Sequence, residues 1–297
     1  MIKVQNITKD FGFNRGVFNI SFEVNEGEVY GFLGPNGAGK TTTMRMLMGF
    51  SQPDNGVATI NNKNCWKDYS EILNDVGYLP GEIVLPEGLN GVEFIEMMKE
   101  MKHAKDSRIN YLVEMFELNL NQNTKRMSIG DKRKLAIISA FMSDPKILIL
   151  DEPTSGLDPV MQNKFIELIK SEKKRGKTIL LSSHIFQEVD ASCDRLSIIK
   201  EGRIVTTIET KALKNSENKS FKIEFENDEC FEKFSNLDMN ITYSNKKKRK
   251  MRISINDSQI NYLIKNIAKY EIKYFSETKF TLEDYFLSYY KVGEEVN

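Results

Sequence analysis

Gly34-Pro35-Asn36-Gly37-Ala38-Gly39-Lys40-Thr41 is the stretch that decides the fold. It fits G-x-x-x-x-G-K-[ST], the pattern of a phosphate-cradling P-loop. The run Val29–Leu33 before it is short and apolar, which is typical of a strand, and Thr41–Met48 after it is typical of a helix. A strand, a glycine loop and a helix N-terminus together aim main-chain N–H groups and a helix dipole at one point. Such a point suits a triphosphate.

The residues of this loop have distinct predicted roles. Lys40 is expected to reach the β- and γ-phosphates, and the Thr41 hydroxyl is expected to hold Mg²⁺. The glycines allow a main-chain conformation that side chains would obstruct. The predicted nucleotide-binding residues of this stretch are Gly34, Asn36, Gly37, Ala38, Gly39, Lys40, Thr41 and Thr42. The plain alternative is a glycine turn with a chance Lys-Thr pair, which the flanking strand and helix disfavour.

The composition is that of an ordinary globular protein. The chain has 297 residues, which suggests about two domains, and 40% of them are hydrophobic. Basic and acidic residues number 42 each, so no general attraction to nucleic acid is expected. Cys65, Cys193 and Cys230 form no C-x-x-C pair and indicate neither a disulfide framework nor a zinc site. No apolar run approaches the ~18 residues that cross a bilayer, so any membrane part is expected to be another chain.

The hydrophobic pattern predicts an α/β fold. Strand-like segments fill residues 1–33, and residues 87–143 indicate mostly helices. Continuous apolar runs follow, at Ile147–Leu150, Thr178–Leu181 and Leu196–Ile199. Such runs fit parallel strands that are buried on both faces, and helical patterns between them give the βαβ order of a parallel sheet. We therefore predict an α/β fold built around a P-loop NTPase core.

A polar segment near Lys211–Lys219 is the predicted linker to a second, smaller α+β domain. The elements expected there, in order, are a strand at Phe221–Phe225, a helix at Cys230–Leu237, a hairpin of Ile241–Tyr243 and Met251–Ile255, a helix through Ile260–Ile267 and a strand at Ile272–Phe275. Thr281 and Asp284 indicate a capping box that begins a closing helix. This order is typical of a ferredoxin-like unit.

The basic run Lys246–Lys250 lies in the predicted hairpin. Such a run can contact anionic lipid or RNA. A solvated hairpin tip is the favoured interpretation, because acidic residues are spread through the same domain.

Two carboxylates end the apolar strand at Ile147–Leu150. Asp151 is the predicted second Mg²⁺ ligand, and Glu152 fits a general base for an attacking water. A carboxylate at the end of a buried strand is costly unless a cation or donor meets it, so the pair implies a ligand. The alternative is an N-cap or a structural ion pair.

Met127-Ser128-Ile129-Gly130-Asp131 begins a predicted helix, with Ser128 as its N-cap. Because this segment precedes the Asp151 strand, the chain here resembles the ATP-binding cassette (ABC) ATPases, in which L-S-G-G-Q occupies this place. In that family the helix N-terminus binds the γ-phosphate of ATP held by the opposite subunit. Ser128 and Gly130 match and are therefore predicted nucleotide-binding residues. Ile129 and Asp131 depart from the pattern, and Asp131 places a negative charge near phosphate.

The resemblance extends to three further motifs. Ser155–Pro159 matches the loop that crosses between subunits. Ser182-Ser183-His184 matches the switch-histidine motif, which implies that His184 holds the γ-phosphate and the water geometry together with Glu152. Phe11 matches the aromatic residue that stacks on adenine, with core packing as the alternative and Phe13 as a rival.

One position departs from the family pattern. Gly81, in Leu79-Pro80-Gly81-Glu82, stands where the family usually has a Gln that contacts Mg²⁺. Glycine has no side chain for metal or water, and whether Glu82 replaces the Gln stays open. This loop and the helical segment are expected to form a groove for a membrane partner's helix. Leu85, Val92 and Phe94 are expected to line it, unless they pack in the core.

The resemblance also implies a domain plan and a function. Residues 1–210 are expected to form an ABC nucleotide-binding domain, whose P-loop core carries an antiparallel β subdomain and a helical subdomain at about 87–143. Residues 220–297 look like the accessory domain of ATPase subunits of bacterial ABC-2-type exporters, including bacitracin- and peptide-export-like systems. The implied function is binding and Mg²⁺-dependent hydrolysis of ATP that powers export of a peptide, antibiotic or other amphipathic substrate.

The implied partners are a transmembrane permease subunit and a second ATPase subunit, in a homo- or heterodimer, and no nucleic acid is expected. The chain is then expected at the cytoplasmic face of the cell membrane, held there by the permease. The alternatives are a soluble ABC ATPase and a nucleotide-gated regulatory module.

Overall fold

The computed structural model describes residues 1–210 and 218–278. The chain divides into two compact units, Met1–Thr210 and Lys211–Asn297. The predicted closing helix at Thr281 and most of the predicted linker lie outside the described residues. No helix within the described ranges is long and apolar enough to cross a membrane.

The first unit contains ten strands, seven α-helices and a short 3-10 helix at Thr124–Arg126 within its described residues. The strands are β1 (Ile2–Asp10), β2 (Gly16–Val24), β3 (Val29–Leu33), β4 (Asn55–Ile60), β5 (Lys63–Asn64), β6 (Val76–Leu79), β7 (Ile147–Asp151), β8 (Thr178–Ser183), β9 (Arg195–Lys200) and β10 (Arg203–Glu209). The helices are α1 (Lys40–Leu47), α2 (Tyr69–Asp75), α3 (Gly91–Lys102), α4 (Asp106–Met115), α5 (Ile129–Phe141), α6 (Pro159–Lys174) and α7 (Phe186–Ser192).

The larger sheet has six strands in the order β10-β9-β3-β8-β7-β6, and all its pairs are parallel except β10–β9. Every residue of β3, β7 and β8 is buried, as continuous apolar strands between helices should be. Leu33 pairs with Ser183 and Asp151 pairs with Ser182, so the three strands end at one edge. The predicted P-loop core is therefore confirmed, and its sheet places three functional segments together.

The smaller sheet has the order β2-β1-β4-β5, and all its pairs are antiparallel. Its inner face packs on α1 through a core that includes Ile2, Ile7, Ile20 and Met44. This is the antiparallel β part that the sequence predicts. The strand β1 runs to Asp10, because Lys9 and Asp10 still pair with β2.

Helices fill the segment between these β-rich parts. The Ser128 side chain caps α5 as predicted, by accepting from Asp131 N, and Asn90 and Glu93 form a capping box on α3 that is not predicted from the sequence. Phe94 is buried in the core, so the groove-lining interpretation is wrong for this residue, while Val92 is 41% exposed. The short helix α2 is not predicted from the sequence.

The second unit contains, within its described residues, β11 (Asn218–Phe225), α8 (Asp228–Ser235), β12 (Asn240–Asn245), β13 (Lys250–Asn256), α9 (Ile260–Ile267) and β14 (Ile272–Thr278). The sheet order is β12-β13-β11-β14, with every pair antiparallel. This is a βαββαβ, ferredoxin-like arrangement. Helix α8 begins two residues before the predicted Cys230, because the Asn227 side chain caps it by accepting from Cys230 N.

The basic run lies at the tip between β12 and β13. Lys246 pairs with Glu232 at 2.7 Å and Lys250 pairs with Glu224 at 3.0 Å. Because acidic neighbours meet these two charges, the contacts agree with the interpretation as a solvated hairpin tip.

Candidate active site

The P-loop joins β3 to α1 in a conformation that needs glycine. Gly39 has φ of 104° and caps α1 in the left-handed region. A Cβ atom on Gly34 would lie 2.4 Å from Ile199 O, and one on Gly39 would lie 2.6 Å from Val17 Cγ1. Both glycines therefore let neighbouring strands approach the loop closely. The buried Ala38 completes the loop, and its carbonyl accepts from Gly202 N.

Lys40 is the first residue of α1 and is only 5% exposed. Its ammonium donates to Gly34 O at 2.6 Å and to Pro35 O at 3.0 Å. It also lies 2.9 Å from Glu152 Oε1. Two carbonyls and one carboxylate thus fix a positive charge at the mouth of the loop, next to the helix N-terminus.

A cavity of about 430 Å³ opens at this point. Its lining residues are Phe11, Arg15, Gly16, Asn36, Gly37, Gly39, Lys40, Thr41, Thr42 and Glu152. The predicted residues Gly34 and Ala38 are buried and do not line it. The cavity therefore brings together most of the predicted phosphate-binding residues and one predicted catalytic carboxylate.

Phe11 stands at the edge of this cavity. Its ring is 58% exposed, so core packing does not account for it, and the rival Phe13 is fully exposed and does not line the cavity. Arg15 also lines the cavity, although the sequence analysis does not single it out. The sequence feature that points to Arg15 is its position in the loop that carries Phe11. The two residues are joined there by a hydrogen bond from Phe11 N to Arg15 O at 2.8 Å.

Asp151 ends β7 and is fully buried. Its Oδ1 accepts from Ser182 Oγ at 2.5 Å, while its Oδ2 is buried and has no hydrogen-bond partner among the described residues. A buried, unpartnered carboxylate oxygen is costly, so it is a fitting ligand for a cation. The Ser182 hydroxyl also accepts from Glu152 N at 3.1 Å. Ser182 is thus a site residue that was missed, and its signal was a polar side chain at the end of an apolar strand.

The donors suit Mg²⁺ bound together with phosphate. Within the described residues, no group of three or more His, Cys, Asp or Glu side chains could hold a metal ion. Mg²⁺ in nucleotide sites commonly uses one or two protein oxygens and takes its other ligands from phosphates and water. Asp151 Oδ2 and the Thr41 hydroxyl, which lines the cavity, are oxygens of this kind.

Glu152 is held between two basic groups. Its Oε1 faces Lys40, and its Oε2 lies 2.5 Å from His184 Nδ1. The main chain at Glu152 has φ of 48°, a left-handed conformation that is unusual for a residue other than glycine. Such strain is concentrated at functional sites, where the surrounding structure maintains it. This contact links the segments that follow β7 and β8. The structure therefore brings the two predicted catalytic residues, Glu152 and His184, into direct contact.

Glu188 lies behind His184, on α7, and is 3% exposed. Its Oε2 accepts from Ser183 Oγ at 2.5 Å, while its Oε1 is buried and has no hydrogen-bond partner in the part of the chain that the structure describes. Burial raises the pKa of Glu188 to about 7; hydrogen bonds from Ser183 and Thr154 oppose this, and the charge of Glu152 adds to it. No sequence pattern marks this residue. It ties α7 to the end of β8, next to His184.

Ser128 and Gly130 stand apart from the cavity within this chain. The Ser128 hydroxyl donates to Asp131 Oδ2 at 2.8 Å, so Asp131, which departs from the family pattern, is bonded to this hydroxyl within the chain. Ile129 is 76% exposed and packs near Gly156, in the predicted subunit-crossing loop.

Gly81 passes directly over Asp151. A Cβ atom at this position would lie 2.8 Å from Asp151 Oδ2. The exposed side chain of Glu82 follows it. The loop therefore approaches the free carboxylate oxygen with its main chain.

Comparison with known proteins agrees with this geometry. A family model described as ABC transporter matches residues 17–155. The bacitracin transport ATP-binding protein BcrA of Bacillus licheniformis is 36% identical over 225 residues, which cover 74% of this chain and 73% of that protein. The Nod factor export ATP-binding protein I of Burkholderia lata is 36% identical over 224 residues, which cover 73% of each chain.

A solved structure shares the fold. An ATP-binding subunit of an ABC transporter superposes with a TM-score of 0.66 at 27% sequence identity, covering 72% of this chain and 92% of that one. Together with the two relatives, which this chain matches over nearly three quarters of their length, it makes the assignment plain. The chain belongs to the ATP-binding subunits of the ABC transporter family.

Proposed function

We propose that this chain hydrolyses ATP and thereby powers export through a separate membrane-spanning subunit. The observation that carries the catalytic part is Glu152, fixed between Lys40 and His184 at the end of the strand that carries Asp151. The export part is supported by the relatives, one of which is named for bacitracin transport and another for Nod factor export. Since their cargoes differ, we propose only an amphipathic substrate class.

The chain's own residues supply the parts that phosphoryl transfer to water needs. The P-loop amides and Lys40 bind the triphosphate. Asp151 and Thr41 would hold Mg²⁺, which when bound neutralises charge on the β- and γ-phosphates. Glu152 accepts a proton from the attacking water, while the water oxygen bonds to the γ-phosphorus and the bond to the ADP oxygen breaks. His184 keeps the Glu152 carboxylate oriented towards that water.

A second ATPase subunit completes the proposed site. Ser128 and Gly130 begin a helix whose N-terminus suits an anion, yet they do not line this chain's own cavity. We propose that they meet the nucleotide of a partner ATPase subunit, which makes the site composite. Nucleotide then favours the closed pair, and its hydrolysis releases it.

Affinity purification of Glu152→Gln tests this function. Tagged variant is expressed in its native cell, membranes are solubilised in mild detergent with Mg-ATP, and co-purifying proteins are identified. A stoichiometric multi-span membrane protein is expected. The Lys40→Ala variant, which lacks the phosphate-binding ammonium, is the control for nucleotide dependence. Recovery of a soluble dimer alone, or of ribosomes or DNA, would contradict the transporter proposal.

A further inference from the structure

Arg133 is a buried charge that the proposed chemistry does not use. It lies in the second turn of α5 and is 5% exposed. Burial lowers the pKa of Arg133, although the carboxylates of Asp151 and Glu152 favour its charged form. Burying a guanidinium is costly unless its N–H groups find acceptors. Its position therefore calls for an explanation.

All its hydrogen bonds go to main-chain carbonyls of two loops. Nη1 donates to Pro80 O at 3.1 Å and Nη2 donates to Gly81 O at 2.7 Å. Nε donates to Ser155 O at 3.0 Å. The planar fork of an arginine can hold three acceptors at once in a fixed arrangement. Arg133 thus joins the loop after β6 to the loop after β7.

Each of these loops contacts one of the residues that carry the active-site carboxylates. Gly81 passes over Asp151 Oδ2 so closely that a Cβ atom would lie 2.8 Å from it. Ser155 N donates to Glu152 O at 3.1 Å, which closes the turn that holds Glu152 in its left-handed conformation. Position 81 offers no side chain by which this loop could be anchored, so its main chain must be held from outside.

We propose that Arg133 is a positioning residue that holds the Gly81 and Ser155 loops in place, and through them Asp151 and Glu152. It does not line the cavity, so it acts through the loops and not on the nucleotide. Since Arg133 lies on the same helix as Ser128, the arrangement also links the predicted γ-phosphate contact to both carboxylates. This inference rests on the proposed function for its kinetic consequence, but its structural consequence is independent of it.

Arg133→Lys is the most informative variant. It keeps the charge, but a single ammonium cannot reach carbonyls on both loops in the same geometry. We expect kcat to fall by about 10- to 100-fold, because small displacements of reacting groups have effects of this size. ATP affinity should stay within about twofold of wild type, since the ground-state contacts are unchanged. Arg126→Lys, at an exposed arginine near the start of the same helix, makes the same chemical change and should behave as wild type.

Amide hydrogen exchange gives a readout that does not depend on activity. Peptides that contain Gly81 and Ser155 are expected to exchange about tenfold faster in Arg133→Lys than in wild type, while the strands β3 and β8 keep their protection. If wild type hydrolyses no ATP, the proposed function fails and the exchange result alone decides on Arg133. Unchanged exchange in both loops would overturn the proposal. Faster exchange throughout the first unit would also overturn it, because it would show a general structural role.

Discussion

Replacing Glu188 with Gln should flatten the pH dependence of folding stability. Glu188 is buried on α7, and burial raises its pKa to about 7 from the ordinary value of 4.5. Between these values the folded protein holds a proton that the unfolded chain has released. Stability is therefore fully present below the unfolded pKa and is lost as the pH rises through the folded pKa.

The size of the effect follows from the gap between the two pKa values. At about 1.4 kcal/mol for each pH unit, a rise from 4.5 to about 7 corresponds to about 3 kcal/mol. Roughly 2 kcal/mol of this should disappear between about pH 5.5 and about pH 8. Gln cannot ionise and keeps polar atoms for Ser183 and Thr154. The difference between wild type and variant therefore isolates the titration of Glu188 from all other groups.

Urea unfolding followed by tryptophan fluorescence measures this effect. Trp66 is the only tryptophan of the chain and lies in the first unit, so its emission reports the unfolding of the part that contains Glu188. Unfolding free energies are compared at the two pH values for wild type, Glu188→Gln and Glu167→Gln. Glu167 is an exposed glutamate on α6 and should leave the wild-type dependence unchanged. The reasoning is refuted if Glu188→Gln loses as much stability on raising the pH as wild type does.

Two further predictions concern single contacts. Phe11→Ala should weaken ATP binding by about 3- to 10-fold, as loss of an aromatic stacking contact does. Phe13→Ala changes a fully exposed ring and should leave the Kd for ATP unchanged. Equal effects of the two variants in a titration with a fluorescent ATP analogue would exclude this role for Phe11. Glu172→Gln should lower the free energy of unfolding by about 3 kcal/mol, because it removes the buried carboxylate that pairs with Arg108 at 2.7 Å. A loss below about 1 kcal/mol in the Trp66 urea assay would contradict this.

The parts of the fold that local patterns encode could be predicted from the sequence. The spacing of Gly34, Gly39 and Lys40 restricts the loop whatever surrounds it, and the apolar run Ile147–Leu150 requires burial on both faces. Both features follow from interactions within a few neighbouring residues. Phe94 shows the limit of such patterns, since one apolar residue at a helix start fits a core or a groove equally well.

The parts that depend on neighbouring strands could not be predicted. Ser182 is an ordinary polar residue until β8 pairs with β7 and brings its hydroxyl to Asp151. The roles of Arg133 and Glu188 likewise depend on contacts that form only when the fold packs, with the Gly81 carbonyl and the Ser183 hydroxyl respectively. These contacts join segments that are far apart along the chain, so a local sequence pattern does not reveal them.

Helix ends follow a third rule. The start of α8 at Asp228 is set by the Asn227 side chain, which satisfies a main-chain N–H that would otherwise lack a partner. Apolar periodicity, which begins at Phe231, places that start too late. Capping residues therefore locate helix ends better than the hydrophobic pattern does.

The central claim is that Glu152 is the base of an ATP-hydrolysing site. The most direct measurement is steady-state phosphate release from Mg-ATP by wild type and Glu152→Gln, with ATP binding measured on the same preparations and Glu167→Gln as the matched control. We predict that Glu152→Gln lowers turnover by at least about 100-fold, as loss of a general base does, and that it still binds ATP. Turnover of Glu152→Gln at the wild-type rate would contradict the account.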